Sequence, residues 1–167
     1  MGDLAAREIT AVFVYGTLKQ HESRGGRWPR PARRITPAFV WGELYDLRKY
    51  PALLPPQSSP PDRILGELWE LAPEDLAETL RVLDRIEGYG DPGGDLYVRA
   101  VITVQTLGDH SANRQSQSGA QNGASLNMAQ QSAFTYHYAH PQELRPEQRV
   151  VADDQGFCNW SANRHRS

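Results

Sequence analysis

The sequence predicts an α+β domain in which a small, bent β-sheet accompanies one amphipathic helix. Apolar segments rich in β-branched and aromatic residues recur from residue 11 onward, which is typical of strands. Two of these segments contain an internal glycine, Gly42 and Gly66, as bulged or strongly bent strands do. Leucines at helical spacing follow between residues 76 and 83. Because 167 residues suit one domain, we expect residues 1–167 to form a single domain.

The first strand is predicted at residues 12–15, where four β-branched or aromatic side chains suit burial on both faces of a sheet. The apolar run stops at Gly16, which Thr17 and Leu18 follow. Backbone N–H groups at such a turn can hold a carboxylate or an oxyanion without a charged side chain. A core strand followed by an ordinary turn explains the same residues, and this segment alone leaves both interpretations open.

Loops and strands alternate along the next part of the chain. Residues 20–34, rich in glycine, proline and arginine, are predicted to form an exposed loop whose arginines either meet an anionic substrate or are simply solvated. Residues 35–47 and 63–71 each contain Gly-Glu-Leu followed by an aromatic residue. We interpret them as two bent strands of one sheet, separated by a proline- and serine-rich turn at 55–61.

A helix is predicted with clear signals at both ends. Pro73 suits the first helical turn, and Gly88 suits a left-handed cap after the last turn. The residues between them show the spacing of a single helix face. That face carries three leucines and then a carboxylate: Leu76, Leu80, Leu83 and Glu87.

Glu87 is unusual because a carboxylate continues an apolar stripe. Burial and the negative end of the helix dipole would both raise its pKa from the reference value of about 4.3. Such a carboxyl group suits a general base at neutral pH. Alternatively, Glu87 turns to solvent or pairs with Arg99 and has no chemical role. The pattern fits both interpretations.

The remaining chain is predicted to contain two strands around a polar insertion. A glycine-rich turn after the helix leads to a strand at 96–104, and a second strand is predicted at 134–138. Between them, residues 108–132 consist largely of Ser, Gln, Asn, Gly and Ala, which predicts a disordered polar insertion. The polar tail contains a short apolar segment at 157–160, which we expect to dock on the domain.

Composition argues against several classes of partner and site. The net charge of −2 and the pI near 6.2 favour neither nucleic acid nor an anionic membrane as a partner. Cys158 is the single cysteine, which excludes an intrachain disulfide, and strand alternation would separate His137 from His140, so we expect no metal site. With no apolar signal-peptide core in the first ten residues, a cytoplasmic location is the simplest expectation.

Four short motifs together resemble the γ-glutamylcyclotransferase-like family, also called the AIG2-like family. Their order and spacing agree with that family over roughly residues 10–140. The motifs are Tyr-Gly-Thr-Leu at 15–18, Tyr-Pro-Ala-Leu at 50–53, Leu-Asp-Arg-Ile-Glu-Gly-Tyr at 83–89 and Tyr-Val-Arg at 97–99. The resemblance implies a small mixed β-barrel with flanking helices and a cavity at one end.

The resemblance also implies a set of site residues. In enzymes of this family the loop after the first strand binds the glutamyl moiety through its backbone, and a Glu of the third motif is the catalytic acid and base. Glu87 holds that catalytic position here, and Tyr97 resembles a cavity residue that meets the substrate. The implied substrate-binding residues are Tyr15, Gly16, Thr17, Leu18 and Tyr97.

The predicted function is that of a γ-glutamyl cyclotransferase, a ring-closing transferase or lyase that releases 5-oxoproline and a free amine from a small γ-glutamyl amide. Glu87 would act as general acid and base, with no metal or cofactor. The alternative is a non-catalytic protein of the same fold that binds a small metabolite. A third hypothesis, an interaction domain acting through residues 108–132, remains open. The segment after Lys19 departs from the family pattern. The sequence therefore does not indicate the leaving amine. It does not indicate the oligomeric state either.

Overall fold

The computed structural model describes residues 8–108 and 129–162. Seven strands and one α-helix form the regular structure of these residues. In chain order they are β1 (Ala11–Val14), β2 (Arg34–Asp46), β3 (Pro51–Leu54), β4 (Asp62–Glu70), α1 (Leu76–Glu87), β5 (Tyr97–Thr106), β6 (Gln130–Tyr138) and β7 (Phe157–Cys158).

Five of the strands close into a barrel. The sheet order is β3-β2-β5-β6-β1-β4-β7, and an additional pairing of β2 with β4 closes the ring. Strand β1 runs parallel to β6, and the other pairs within the ring are antiparallel. Strands β3 and β7 extend the sheet outside the ring. The predicted α+β class and the mixed β-barrel are therefore confirmed, with α1 as the flanking α-helix of the described residues.

The bend predicted for the second strand coincides with a change of partner. Strand β2 pairs with β4 as far as Gly42, which lies opposite Asp62. From Glu43, which lies opposite Leu54, it pairs with β3. One 13-residue strand thus contributes to the barrel at its start and holds β3 at its end. This arrangement brings the start of β3 close to the end of β1, where Gly16 approaches Pro51.

Strand β1 is buried along its whole length because both of its faces are covered, as predicted. Phe13 packs in one buried cluster, which also contains Leu44 and Leu68 from the barrel. Val12 and Val14 point the other way into a second cluster, with the helix residues Leu80 and Leu83. The C-terminal segment docks as expected. Its Cys158 and Trp160 are fully buried in the first cluster.

Helix α1 begins after a 3-10 turn at Pro73–Asp75 and ends where the sequence predicts. Gly88 adopts the left-handed conformation with φ of 68°. The N–H of Gly88 bonds to the carbonyl of Arg85 at 3.4 Å, and the N–H of Tyr89 bonds to that of Asp84 at 2.8 Å. This pair of bonds is a Schellman cap. It fixes the direction of the chain immediately after Glu87.

Only the two ends of the predicted insertion at 108–132 belong to the described residues, because residues 109–128 lie outside them. At its C-terminal end the prediction was wrong. Residues 130–132 belong to β6, where Gln130 pairs with Gln105 and Ser132 with Thr103. Backbone hydrogen bonds hold this part of the hairpin, so polar side chains did not prevent strand formation. In the described part of the chain, no helix has the length and apolar character needed to cross a bilayer.

Candidate active site

A cavity of about 70 Å³ lies at one end of the barrel, between β1, β3, α1 and β5. It is lined by all six residues that the sequence singled out, which come from three separate parts of the chain. They are Tyr15, Gly16, Thr17, Leu18, Glu87 and Tyr97. The structure therefore brings the predicted site residues together in one place.

The turn after β1 forms one wall of the cavity. A Cβ atom at Gly16 would lie 2.4 Å from Cγ of Pro51, so only glycine permits this approach. The turn is closed by bonds from the Lys19 N–H to the Gly16 carbonyl (3.1 Å) and from the Arg24 N–H to the Thr17 carbonyl (2.8 Å).

The backbone N–H groups at the start of this turn have no acceptor within the described part of the chain. Among the described residues, none accepts a hydrogen bond from the N–H of Gly16, Thr17 or Leu18. Thr17 and Leu18 are nevertheless buried, with 8% and 4% of their surface exposed. Unsatisfied N–H donors beside a cavity form a site suited to a carboxylate or an oxyanion.

Glu87 contributes the carboxyl group of the cavity. It is the last residue of α1, and only 8% of its surface is exposed. Burial raises the pKa of Glu87 from its ordinary value of 4.5 to about 7, against a smaller lowering effect of the Arg24 guanidinium. Near neutral pH, such a group is present in both the acid and the base form.

Arg99 does not neutralise Glu87. Its Nη1 atom lies 2.6 Å from Oδ2 of Asp84, which is one helical turn before Glu87. Within the described residues, Glu87 has no ion-pair partner at salt-bridge distance. The alternative in which Glu87 turns to solvent or pairs with Arg99 is therefore wrong, since Asp84 occupies the guanidinium and α1 directs Glu87 inward.

Three buried tyrosines surround the carboxyl group, and each hydroxyl already donates to a protein acceptor. Tyr15 donates to the carbonyl of Tyr136 at 2.6 Å, and Tyr97 donates to the carbonyl of Pro51 at 2.5 Å. Tyr136 in turn donates to Oδ1 of Asp84 at 2.7 Å. Burial is the main cause that raises the pKa of all three phenols, so they remain neutral. These bonds hold the walls of the cavity in place.

The structure adds two polar residues that the sequence did not single out. Arg24 belongs to the predicted exposed loop, yet it is half-buried and lines the cavity. No local pattern marks it, because its position depends on the fold of the loop over α1. Tyr136 also lines the cavity, and the alternation of residues 134–138 was the signal that places it on the face of β6 that packs toward α1. No group of three or more His, Cys, Asp or Glu residues in the described chain is arranged to hold a metal ion.

Comparisons with solved structures show similar folds at low sequence identity. YkqA from Bacillus subtilis is 18% identical, with 78% of this chain and 36% of that one covered and a TM-score of 0.48. This chain therefore spans little more than a third of YkqA. An AIG2-like protein from Mus musculus is 20% identical, with 84% of this chain and 82% of that one covered and a TM-score of 0.49. A protein from Arabidopsis thaliana is 19% identical, with 93% of this chain and 79% of that one covered and a TM-score of 0.50.

Sequence comparison identifies the family directly. No curated protein sequence matches the chain. The family model described as gamma-glutamyl cyclotransferase, AIG2-like, matches residues 12–161, which include all of the barrel except Ala11 and every residue of the cavity. The chain belongs to the gamma-glutamyl cyclotransferase, AIG2-like family.

Proposed function

We propose that the protein is a γ-glutamyl cyclotransferase that converts a small γ-glutamyl amide into 5-oxoproline and a free amine. One observation carries this proposal. A buried carboxyl group with a pKa of about 7, Glu87, lines the same small cavity as the available N–H groups of Gly16, Thr17 and Leu18. A γ-glutamyl amide needs both features, since it presents a carboxylate to bind and a proton to move.

In the proposed reaction the substrate supplies its own nucleophile. Glu87 removes a proton from the α-ammonium group, and the neutral amine forms a bond to the γ-carbonyl carbon. The carbonyl electron pair moves to oxygen and returns as the bond to the leaving nitrogen breaks. Glu87 delivers its proton to that nitrogen. The extra proton on the ring nitrogen passes through Glu87 to the departing amine, which leaves as an ammonium ion.

Binding geometry would supply much of the rate. Closing a five-membered ring requires the substrate to fold back on itself, and holding reacting groups in position contributes up to roughly 7–11 kcal/mol in favourable cases. In this proposal the N–H groups of the turn after β1, whose residues line the cavity, bind the α-carboxylate or the oxyanion. The tyrosine side chains line the cavity around the buried Glu87 and would limit the access of water to it. This scheme uses no metal or cofactor, and its partner is the small-molecule substrate.

The test is the Glu87→Gln variant, assayed for 5-oxoproline release from a panel of γ-glutamyl amino acids and γ-glutamyl amines. We expect a loss of about 100- to 10,000-fold in kcat, because Gln can neither take nor return a proton. In the unmodified protein, kcat/KM should rise with pH and level off above pH 7, as Glu87 loses its proton with a pKa of about 7.

Glu74→Gln is the matched control, because Glu74 is exposed and lies outside the cavity. It should retain full activity. Unchanged turnover in Glu87→Gln would overturn the assignment of Glu87. Binding of a γ-glutamyl compound by the unmodified protein without any release of 5-oxoproline would instead support the second candidate, a non-catalytic metabolite-binding protein.

A further inference from the structure

We infer that the leaving group of the preferred substrate carries its own carboxylate, and that Arg24 binds it. The inference rests on the proposed function and narrows it from γ-glutamyl amides in general to γ-glutamyl amino acids. Arg24, which lines the cavity, thereby becomes a specificity-determining residue.

The guanidinium of Arg24 is half-buried and forms no salt bridge with a described residue, and it acts on Glu87 only from beyond salt-bridge distance. Its side-chain hydrogen bond goes from Nη1 to the Ile86 carbonyl at a long 3.5 Å. Among the described residues, no carboxylate lies within salt-bridge distance of Arg24. Elsewhere, Arg30 is held by Glu78 at 2.8 Å even though half of its side chain is exposed. Glu87 is partly protonated near neutral pH, so a sheltered guanidinium without a salt bridge is costly there, and a bound carboxylate would reduce that cost.

The backbone of Arg24 is fixed, so its guanidinium can move only within the reach of its side chain beside the cavity. Its N–H donates to the Thr17 carbonyl at 2.8 Å, which ties the loop to the turn after β1. Trp28 further along the loop is also anchored, by a bond from Nε1 to the Leu18 carbonyl and by stacking on Trp69 at 4.0 Å between ring centroids. The loop that carries Arg24 is therefore an ordered wall of the site.

The position of Arg24 favours the leaving-group carboxylate over the glutamyl one. The leaving nitrogen must receive its proton from Glu87, so it lies beside Glu87 in the proposed reaction. Arg24 contacts Ile86, the residue immediately before Glu87. In a γ-glutamyl amino acid the second carboxylate is two bonds from the leaving nitrogen, within reach of that guanidinium. The glutamyl carboxylate already has the free N–H groups of the turn.

The experiment compares γ-glutamyl-alanine with γ-glutamyl-isopropylamide, in which a methyl group replaces the second carboxylate. Binding is measured by titration calorimetry in the Glu87→Gln background, where turnover should be strongly slowed, and the release of 5-oxoproline is monitored in the same samples. We expect the alanine compound to bind about tenfold or more tightly, as a charge-assisted hydrogen bond provides. Adding Arg24→Gln should abolish this preference, and Arg24→Lys should retain part of it.

Arg27→Gln is the control, because Arg27 is an exposed arginine of the same loop that does not line the cavity. It should leave the preference intact. Equal affinities for the two compounds, equal losses for both in Arg24→Gln, or no binding of either would overturn the inference. Turnover by the unmodified protein separates the two proposals. Turnover without a preference contradicts only the role of Arg24, and a preference in binding without turnover contradicts only the cyclotransferase.

Discussion

Asp84 and Glu87 lie one turn apart on α1 and have different surroundings. Asp84 accepts hydrogen bonds from Arg99 at 2.6 Å and from the hydroxyl of Tyr136 at 2.7 Å, which keeps it satisfied near the surface. Glu87 is buried at the end of the same helix, beside Tyr15 and Tyr97. Because Asp84 holds the guanidinium, the proton affinity of Glu87 is set mainly by its burial.

Tyr97 illustrates how a cavity residue can serve the site through the fold. Its hydroxyl donates to the carbonyl of Pro51 at 2.5 Å, and burial raises its pKa, so it stays a neutral donor engaged with the protein. Tyr97→Phe should therefore lower the free energy of unfolding by about 1–3 kcal/mol, the usual cost of leaving a buried carbonyl unsatisfied. It should change kcat by less than about tenfold at a temperature where the variant is folded.

Urea unfolding and steady-state kinetics check this prediction, with Tyr50→Phe as the control. Tyr50 also lines the cavity and packs edge-on against Tyr97, with ring centroids 6.3 Å apart. No described residue forms a hydrogen bond with its hydroxyl, so little stability should be lost. A Tyr97→Phe variant with unchanged stability and a thousandfold lower kcat would show instead that the hydroxyl takes part in proton transfer.

At the scale of elements, the end of α1 determines where Glu87 points. The left-handed Gly88 and the two hydrogen bonds of its cap stop the helix immediately after the carboxylate. Gly88→Ala should lower the free energy of unfolding by about 1 kcal/mol, because a Cβ atom is strained at a φ of 68°. Gly88→Asn should cost less, since Asn tolerates this conformation.

Chemical denaturation measures both variants, and Gly26→Ala is the control. Gly26 lies in the exposed loop, and a Cβ atom there would meet no other atom within 4 Å. It should be neutral in stability. If Gly88→Ala proved as stable as the original protein, the cap would not be what ends the helix.

Local signals explain which elements the sequence predicts well. Pro73 and Gly88 act through their own backbone preferences, so both ends of α1 were predictable. The helical period that makes Glu87 stand out spans only the 12 residues of α1. The start of β6 was not, because Gln130 is polar and is held in the sheet by backbone pairing with β5. Residues brought together by the fold, such as Arg24, carry no local signal at all.

At the scale of the whole molecule, the cavity exists because distant segments meet at one end of the barrel. The end of β1, the start of β3, the end of α1 and the start of β5 all contribute to its walls. Folding therefore removes Glu87 from water. The free-energy cost of burying its carboxyl group lowers the stability of the whole domain. A buried carboxyl group whose pKa differs between the folded and unfolded states makes the stability of the protein depend on pH.

The direction of this dependence follows from the two pKa values of Glu87. Its pKa is about 7 in the folded protein and close to the ordinary value of 4.5 in the unfolded chain. Between these pH values the folded state holds a proton that the unfolded state has lost. The ionisation of Glu87 therefore lowers the free energy of unfolding as pH rises from about 4.5 to 7. Well above pH 7, Glu87 is ionised in both states, and the loss of unfolding free energy reaches its full value of about 3 kcal/mol or less.

Glu87→Gln removes this titration while keeping the shape of the side chain. The difference in unfolding free energy between the variant and the original protein should therefore grow in favour of the variant from pH 5 to pH 8, by up to about 3 kcal/mol. Urea unfolding at several pH values gives this difference directly, and other titrating groups largely cancel because both proteins share them. A difference that is constant with pH would mean that Glu87 ionises in the folded protein as easily as in water. Its burial would then provide no base suited to neutral pH, so the same measurement bears on the catalytic proposal without any substrate.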